Sequence, residues 1–598
     1  MKITHLFGLA VIAAMSASCS SNEDLGTAGP GTGTNEAGVG YATFTINLPT
    51  ASGTRATTND QFDGGTASEY AVNDATLLIF NKAGASENDY TFVETVPLGN
   101  LEPWKKDNTT GNGITREATI TAELKLASVG VGGDYYALVI LNNKDKDNTD
   151  KVSMPGSTTG TYGTWNAAAT VKNLIDYEKG FYMANAPEFT TKDVEPTTLV
   201  PIKGIYRTKE EAHSNPGTTV HVERGLAKVT VGKNSTSTKD YFAVGGANAT
   251  GSNYSSDKVQ ITNWALDVTN KKSFPVHVTS GLKAGIPSTD PAVPAVPAYA
   301  DIWKDETGTA PATSRFVSHP ATGAFKRVYW GIDPNYSMGL TDLSKCKEQF
   351  TLVKADGTDA TWKSSTEPLY CLENTFDINN MKQGQTTRVV FEAKYSPKDF
   401  ADDETFYKIG NNTTILKEAD LKTVVNNAAT SVLPGCVVDY DANLKKKGSH
   451  VITLEDIKEN ASSTTHLDGT TTYGTGSKTG ADIVTEINDK LGLKAGVGIN
   501  TYLKGVTYYI ARIKHFGDDL TPWEAGNARY DENNKNWLGR YGVLRNNWYD
   551  LTINTISGPG YPDVPEVKPT DPDDEDTKYI SVSVKILDWA KRSSTLDL

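Results

Sequence analysis

Cysteine is nearly absent: the 598-residue chain holds four, none of them in CxxC spacing. That excludes the common zinc-binding and dithiol redox motifs. Histidine is hardly richer, with eight, and HExxH does not occur, so no metal-binding pair is legible. GxSxG, GxGxxG and a complete Walker A are missing; the nearest approach, Gly474-Thr-Gly-Ser-Lys-Thr-Gly480, reads as a turn-rich loop. Basic residues are in deficit, 58 against 72 acidic, for a net charge of −14 and a pI near 5.2. A surface of that sign repels phosphate backbones, so nucleic acid is not an expected partner. The one pronounced apolar run is Leu6 to Ala17, about a dozen residues and too short to span a bilayer. No cofactor and no metal are expected, and the chain reads as a non-enzyme. Carboxylate clusters such as Asp402-Asp403-Glu404 read as solvated turns, although the two carboxylates of a glycosidase need no proximity in sequence.

What is abundant is turn and strand chemistry. Gly (53) and Pro (26) are frequent and Thr, Asn and Ser crowd the chain, a bias toward strands joined by many turns. The run Leu6 to Ala17 follows Met1-Lys2 and ends in Ser16-Ala17-Ser18-Cys19. That arrangement predicts a signal peptide over 1–18. Small residues before Cys19 resemble a bacterial lipobox, with Ser16 where Leu is usual, so Cys19 is the expected lipidation site. The acidic run Ser20-Ser21-Asn22-Glu23-Asp24 resembles the surface-export signal of Bacteroidota lipoproteins. Cys346, Cys371 and Cys436 allow one disulfide with one thiol left over, or three buried thiols.

Residues 41–48 alternate strictly, with Phe44, Ile46 and Leu48 on one face and Thr43, Thr45 and Asn47 on the other, as in a half-buried strand. Further strands are expected at 75–81, 90–97, 117–126, 135–142, 198–206 and 218–231, with a helix over 166–177. A second β-rich unit starts near Glu223, with strands near 258–268, 274–279, 325–332, 387–395, 506–515 and 541–556. An Ala/Pro-rich loop is expected at 285–313, and short helices at 415–429 and 480–492 inside an insertion. Arg545, Asn546 and Asn547 precede the last of these strands and are expected to satisfy backbone groups there. Residues 558–577 are rich in Pro and acidic side chains and read as an extended linker. Behind it Ile580, Val582, Val584 and Ile586 alternate with Ser581, Ser583 and Lys585. A strand at the end of a stiff spacer suits addition to another subunit's sheet; an intramolecular edge strand is the alternative.

Arg55 is the only Lys or Arg between Lys2 and Lys82, where average density predicts about eight. Set among small polar residues, the Arg55-Ala56 bond is an accessible site for an Arg-specific protease. Avoidance of positive charge behind a lipid anchor would also explain the isolation. A cut there frees residues 41–48 from the body.

Together, Cys19, Ile46-Asn-Leu-Pro49 ahead of Arg55-Ala56, Arg224-Gly-Leu-Ala-Lys-Val-Thr-Val231, Trp330-Gly-Ile-Asp-Pro-Asn-Tyr336, Tyr370-Cys-Leu-Glu-Asn-Thr375 and Arg545-Asn-Asn-Trp-Tyr-Asp-Leu-Thr-Ile553 resemble the Bacteroidales fimbrillins. The acidic Pro segment and Ile580-Ser-Val-Ser-Val-Lys-Ile-Leu-Asp-Trp589 look most like the major shaft subunit of the minor, short fimbriae of Porphyromonas, a type V pilin. The loop 285–313 and the 400–500 insertion depart from that pattern. The resemblance implies a mainly β fold of two β-sandwich (transthyretin-like) domains with a C-terminal donor strand. The expected organisation is a signal peptide 1–18, a lipidated propeptide with a removable first strand 19–55, sandwiches at 56–222 and 223–557, the linker 558–577 and the donor strand 578–598. It implies an outer-membrane lipoprotein precursor that an Arg-specific protease converts into a fimbrial subunit, supporting adhesion and biofilm formation. Implied partners are other copies of the chain, fimbrial anchor and tip subunits, and host or bacterial surface ligands.

Two other readings compete. A surface glycan-binding lipoprotein would keep its lipid and present exposed aromatics, for which Trp303 and Trp523 are candidates. A tip or accessory adhesin would have no need of a donor strand.

Overall fold

A computed structural model describes residues 33–35, 37–49, 66–101, 114–126, 133–156, 160–168, 174–175, 177–188, 196–233, 242–244, 254–279, 327–364, 367–476, 478–516, 538–573, 580–587 and 592–593. The mainly β expectation holds. The first unit is built from β1 (Val39–Pro49), β2 (Ala75–Asn81), β3 (Thr91–Gly99), β4 (Ile114–Lys125), β5 (Tyr135–Leu141), β6 (Met183–Asn185), β7 (Val200–Pro201) and β8 (Thr218–Arg224). They form one sheet in the order β3-β2-β5-β6-β8-β1-β4, with β7 beside β5. The short β6 joins two halves that face a shared core: Phe44 and Ile46 of β1 pack in the same cluster as Leu77 and Ile79 of β2 and Leu138 of β5. The sheet's outer strands approach each other, and the Lys125 backbone N–H donates to Glu94 Oε1 at 2.7 Å.

Gly225 separates β8 from β9 (Leu226–Lys233), so the expected single strand 218–231 is two strands in two sheets. A side chain at Gly225 would meet the Tyr182 ring at 2.9 Å, which is why the crossing point is glycine. The second unit continues with β10 (Phe242–Ala243), β11 (Lys258–Asp267), β12 (Thr269–Asn270), β13 (Phe350–Thr351), β14 (Leu369–Leu372) and β15 (Arg388–Ser396). After an insertion come β23 (Val506–Arg512), β24 (Trp548–Ile556), β25 (Ile580–Leu587) and β26 (Arg592–Ser593). A five-stranded sheet β14-β9-β24-β25-β26 faces a four-stranded sheet β10-β11-β15-β23. Val229, Val231, Leu551 and Ile553 from the first meet Ile261, Trp264, Phe391 and Tyr509 from the second, the interdigitated core of a sandwich.

The insertion holds β16 (Phe406–Ile409), β17 (Val437–Val438), β18 (Gly448–His450), β19 (Ile457–Lys458), β20 (Thr472–Tyr473), β21 (Lys478–Thr479) and β22 (Ile499–Tyr502). Its three-stranded sheet β16-β22-β18 and its helices Glu418–Val432 and Gly480–Leu491 enclose a separate core that includes Leu421, Val425, Ile483, Ile487 and Ile499. The second helix begins at a capping box of Thr479 and Asp482 and stops at Gly492, φ 68°. Both helices lie where the sequence predicts them, within three residues.

Several expectations need correction. The helix near 166–177 is Tyr162–Ala168; the Thr161 hydroxyl starts it by accepting the Thr164 N–H. The segment 198–206 forms only the two-residue β7, and 274–279 holds an isolated bridge, Val278 to Ile332. Cys346, Cys371 and Cys436 are free buried thiols, one of the two states the sequence allows, and burial pushes the Cys371 thiol up to about 12. Most consequential, 558–573 is not a free spacer. Val564 and Val567 are buried, and Tyr561 exchanges backbone hydrogen bonds with Tyr508 of β23, both 2.8 Å. The segment's carbonyls find side-chain donors instead of water: Tyr509 Oη at Gly558 (2.9 Å), Tyr502 Oη at Gly560 (2.8 Å) and Arg388 Nη2 at Pro565 (2.6 Å). Arg512 pairs with Asp573 at its far end.

Candidate functional site

β1 occupies an interior lane. It pairs antiparallel with β4 from Val39 to Pro49 and parallel with β8 from Phe44 to Asn47. Ala42, Phe44, Ile46 and Leu48 are 0% exposed, each large one worth about 1.5–3 kcal/mol of burial. The opposite face is covered too. The helix Lys209–Ser214 lies over β1, and Thr43 Oγ1 donates to the Ala212 carbonyl at 2.8 Å. Thr43 also meets Thr121 Oγ1 at 2.9 Å, Thr45 meets Thr119 Oγ1 at 3.2 Å, and the Asn47 amide donates to Glu117 Oε2 at 3.3 Å. Tyr41 and Tyr206 exchange backbone hydrogen bonds of 2.8 Å at the start of the strand. Among the described residues β4 has no ladder partner other than β1. Taking β1 away therefore strands β4 and opens one edge of β8.

β25 sits differently. The sequence predicts a strand projecting from a spacer; the structure sets it beside β24 in its own sheet. The physical reason lies in the register. Ile580, Val582, Val584 and Ile586 stand opposite Ile556, Ile553, Leu551 and Tyr549, all four buried. Those four partners belong to the core of the second unit, so β24 offers β25 a ladder along a strand with a regular apolar face. Among the described residues, the two-residue β26 is what pairs with the far side of β25.

The two units are joined by buried charge. Glu69, just behind β1 in the chain, meets Lys228 Nζ of β9 at 2.7 Å and accepts from Tyr370 Oη of β14 at 2.7 Å. Arg224 Nε donates to its carbonyl at 2.7 Å. Burial pushes the Glu69 carboxyl up, but the hydrogen bonds from Lys228 and Tyr370 leave it below the usual range. On the other side of the junction Arg545, 2% exposed, pairs with Glu373 Oε1 at 3.3 Å and donates to Ser273 Oγ and the Phe274 carbonyl, both 3.0 Å. Asn547 Nδ2 donates to the Arg545 carbonyl at 2.8 Å and Asn546 N–H to that of Leu226 at 2.7 Å. Asn547 satisfies backbone at the entrance to β24 as the sequence predicts, whereas the Arg545 side chain reaches across to 273–275 and Glu373, and the Asn546 side chain accepts from Arg224.

Residues 500–595, which span β23 to β26 and the segment packed between them, match the family model for the major fimbrial subunit protein type IV, fimbrillin, C-terminal. This stretch is similar to the C-terminal region of fimbrillins. No curated protein matches the chain. Among solved structures, a candidate cell adhesion protein from Parabacteroides distasonis ATCC 8503 aligns over 93% of this chain and 99% of its own, at 10% identity and TM-score 0.34. A candidate cell adhesion protein from Bacteroides eggerthii DSM 20697 aligns over 93% and 97%, at 12% identity and TM-score 0.30. A fimbrial assembly protein from Parabacteroides distasonis ATCC 8503 covers 48% of this chain and 84% of its own, at 12% identity and TM-score 0.23.

Of the residues the sequence singled out, the structure places Phe44, Ile46 and Leu48 in the core and the backbone of Ile580, Val582, Val584 and Ile586 beside β24 near the edge of the five-stranded sheet. Cys19, Arg55, Ala56, Trp303 and Trp523 lie outside the described residues. Asp402, Asp403 and Glu404 form a turn, with Asp403 2.6 Å from Lys394 Nζ and Glu404 accepting the Ala401 N–H. Among the described residues no cluster of three metal-ligating side chains occurs, and no helix is long and apolar enough to cross a membrane. Sequence reading missed the helix over β1, the position of β1 as the one described ladder partner of β4, and Glu69. No local pattern signals Glu69, whose partners Lys228 and Tyr370 lie far along the chain.

Proposed function

We propose that the chain is a shaft subunit of a cell-surface fimbria that polymerises by strand exchange after a proteolytic cut. It is delivered as an outer-membrane lipoprotein acylated at Cys19. An Arg-specific protease cuts the Arg55-Ala56 bond, which releases residues 19–55 together with β1. β25 of a neighbouring subunit then leaves its own sheet edge and fills the vacated lane between β8 and β4. Fimbrial anchor and tip subunits would end the polymer, and surface ligands would be met along it, supporting adhesion and biofilm formation.

The observation that carries this reading is the lane of β1: an interior strand, fully buried on its apolar face and buried at Thr43 and Asn47 on the other, whose neighbour β4 has no other described ladder. Such a strand is held by its tether as well as by its contacts. While it is covalently attached, its effective concentration outcompetes any incoming strand. The cut removes that advantage and leaves contacts alone to compete. Glu69 supports the same reading, because it pins the chain behind the cut to both units while everything before Arg55 departs.

The test is Arg55→Ala. Treated with an Arg-specific protease, the wild-type chain is expected to shorten at residue 55 and give fibres by negative-stain microscopy. The variant is expected to keep its first strand and stay monomeric. Normal fibres from uncut Arg55→Ala chain would refute the switch.

A further inference from the structure

The first and last long strands repeat one pattern. Tyr41-Ala-Thr-Phe-Thr-Ile-Asn-Leu48 and Tyr579-Ile-Ser-Val-Ser-Val-Lys-Ile586 both run tyrosine, apolar, hydroxyl, apolar, hydroxyl, apolar, polar, apolar. The strands they pair with repeat a pattern as well. Opposite β25, Lys585 faces Asp550, Val584 faces Leu551, Ser583 faces Thr552 and Val582 faces Ile553. Opposite β1, Asn47 faces Glu117, Ile46 faces Ala118, Thr45 faces Thr119 and Phe44 faces Ile120. Both pairings are antiparallel. Each acceptor thus reads acid, apolar, Thr, Ile: Asp550-Leu-Thr-Ile553 and Glu117-Ala-Thr-Ile120.

We infer, resting on the strand-exchange reading above, that β25 enters the lane in one register with the polarity of β1: Ser581, Ser583 and Lys585 take the places of Thr43, Thr45 and Asn47. Ile580, Val582, Val584 and Ile586 then take those of Ala42, Phe44, Ile46 and Leu48. Ser581 meets Thr121 and Ser583 meets Thr119, which keeps the hydroxyl pairs now made by Thr43 and Thr45. Lys585 faces Glu117, so an amide–carboxylate contact within the precursor becomes an ion pair between subunits. In its own sheet Lys585 holds the register position opposite Asp550, and in the lane it would hold the one opposite Glu117, an acidic residue in both places. The one exchange of shape is Ala42 and Phe44 for Ile580 and Val582, a small and a large side chain replaced by two of middle size.

The other settings each bury a charge. A slip of one residue in either direction brings Lys585 to the place of Ile46 or Leu48, both 0% exposed. A slip of two brings Lys578 to Ala42 or Asp588 to Leu48, again fully buried positions. Reversed polarity with the apolar set inward puts Lys585 where Thr43 sits, 7% exposed beneath the helix Lys209–Ser214.

Paired cysteines in the full-length, protease-cut chain test the register. Thr119→Cys with Ser583→Cys, and Thr121→Cys with Ser581→Cys, are expected to give a covalent ladder of subunits on non-reducing gels after mild oxidation. Thr119→Cys with Ser581→Cys is expected to give none. A ladder from the mismatched pair alone, or fibres in which neither matched pair links, would overturn the register and leave exchange standing. Fibres from a chain lacking residues 578–598 would overturn exchange itself. Charge reversal provides a second readout should a cysteine variant misfold. Glu117→Lys and Lys585→Glu are each expected to cut fibre yield several-fold, and the double variant to restore it. Wild-type yield from both single variants would remove the Lys585–Glu117 pair.

Discussion

β1 lies between two neighbours, β8 and β4, fully buried on its apolar face and partly covered on the other; among the described residues β25 has one long neighbour, β24, and beyond it a two-residue strand. The two carry the same alternation, so composition does not separate them. What separates them is the length and burial of the pairing: β1 lies along β4 for its whole length and beside β8, with Phe44, Ile46 and Leu48 fully buried, whereas β25 has one long ladder, with β24, and a two-residue one, with β26. Under the strand-exchange proposal, β1 needs a covalent cut before it can be exchanged, and β25 is the strand that leaves its edge to pair with both β4 and β8.

The sharpest way to break this contrast is to place the same charge in both strands. Ile46→Asp puts an unpaired carboxylate in the shared core of the first unit, at a cost of about 5 kcal/mol, and the precursor is expected to lose cooperative unfolding of that unit in thermal melts. Val584→Asp is expected to lower the melt far less, because the monomer can release β25, and yet to abolish fibres. Equal loss of stability in the two variants would mean that β25 is as integral as β1.

Next in size is the anchor behind β1. Glu69→Gln leaves Lys228 buried without its anion and is expected to cost about 3 kcal/mol, read as a lower denaturation midpoint of precursor and cut chain alike. A loss confined to the precursor would place Glu69 with the departing segment instead of the body.

Thr43→Val sharpens the comparison further. It removes the hydrogen bonds to Ala212 and Thr121 and is expected to destabilise the precursor by about 1 kcal/mol. Fibres should keep wild-type stability toward denaturant, because Ser581 and not Thr43 then fills the lane. Fibres weakened to the same extent would show that β1 stays in place.

The smallest effect is a pH dependence of opposite sign in the two regions. Glu69, held below its usual range, contributes stability that is present above the unfolded value of 4.5 and fades as pH falls through its folded value. Asp333 is raised to about 7 by burial, although it accepts from the Thr375 and Asn335 backbones and from Asn270. It stays protonated in the folded chain while the unfolded carboxyl ionises near 3.8, so its contribution declines as pH rises from about 4 to about 7. Asp333→Asn is expected to flatten that slope in denaturant titrations, leaving the acid-side decline from Glu69.

β1 was legible because its alternation is strict, whereas 75–81 and 135–142 are short, near-continuous apolar runs, buried at nearly every position. Of the insertion helices, Gly480–Leu491 is capped locally by Thr479, Asp482 and Gly492, and Glu418–Val432 has no side-chain cap. What escaped depends on partners far away in the chain. The prolines of 558–573 read as a spacer because their missing donors are visible, while the tyrosines and arginine that satisfy the carbonyls come from β22, β23 and β15. Glu69 finds Lys228 and Tyr370 only once two units are folded together. The candidate site was half legible: both strands could be read from their period of two, but the resting place of β25 is set by β24, whose register no local pattern announces.

The most direct test compares the full-length chain with one lacking residues 578–598, both cut identically at Arg55, by thermal melting and by fibre length in negative-stain images. The account predicts long fibres from the full chain, only monomers from the shortened one, and closely similar melting of the two before the cut. Fibres of equal length from the shortened chain would contradict it.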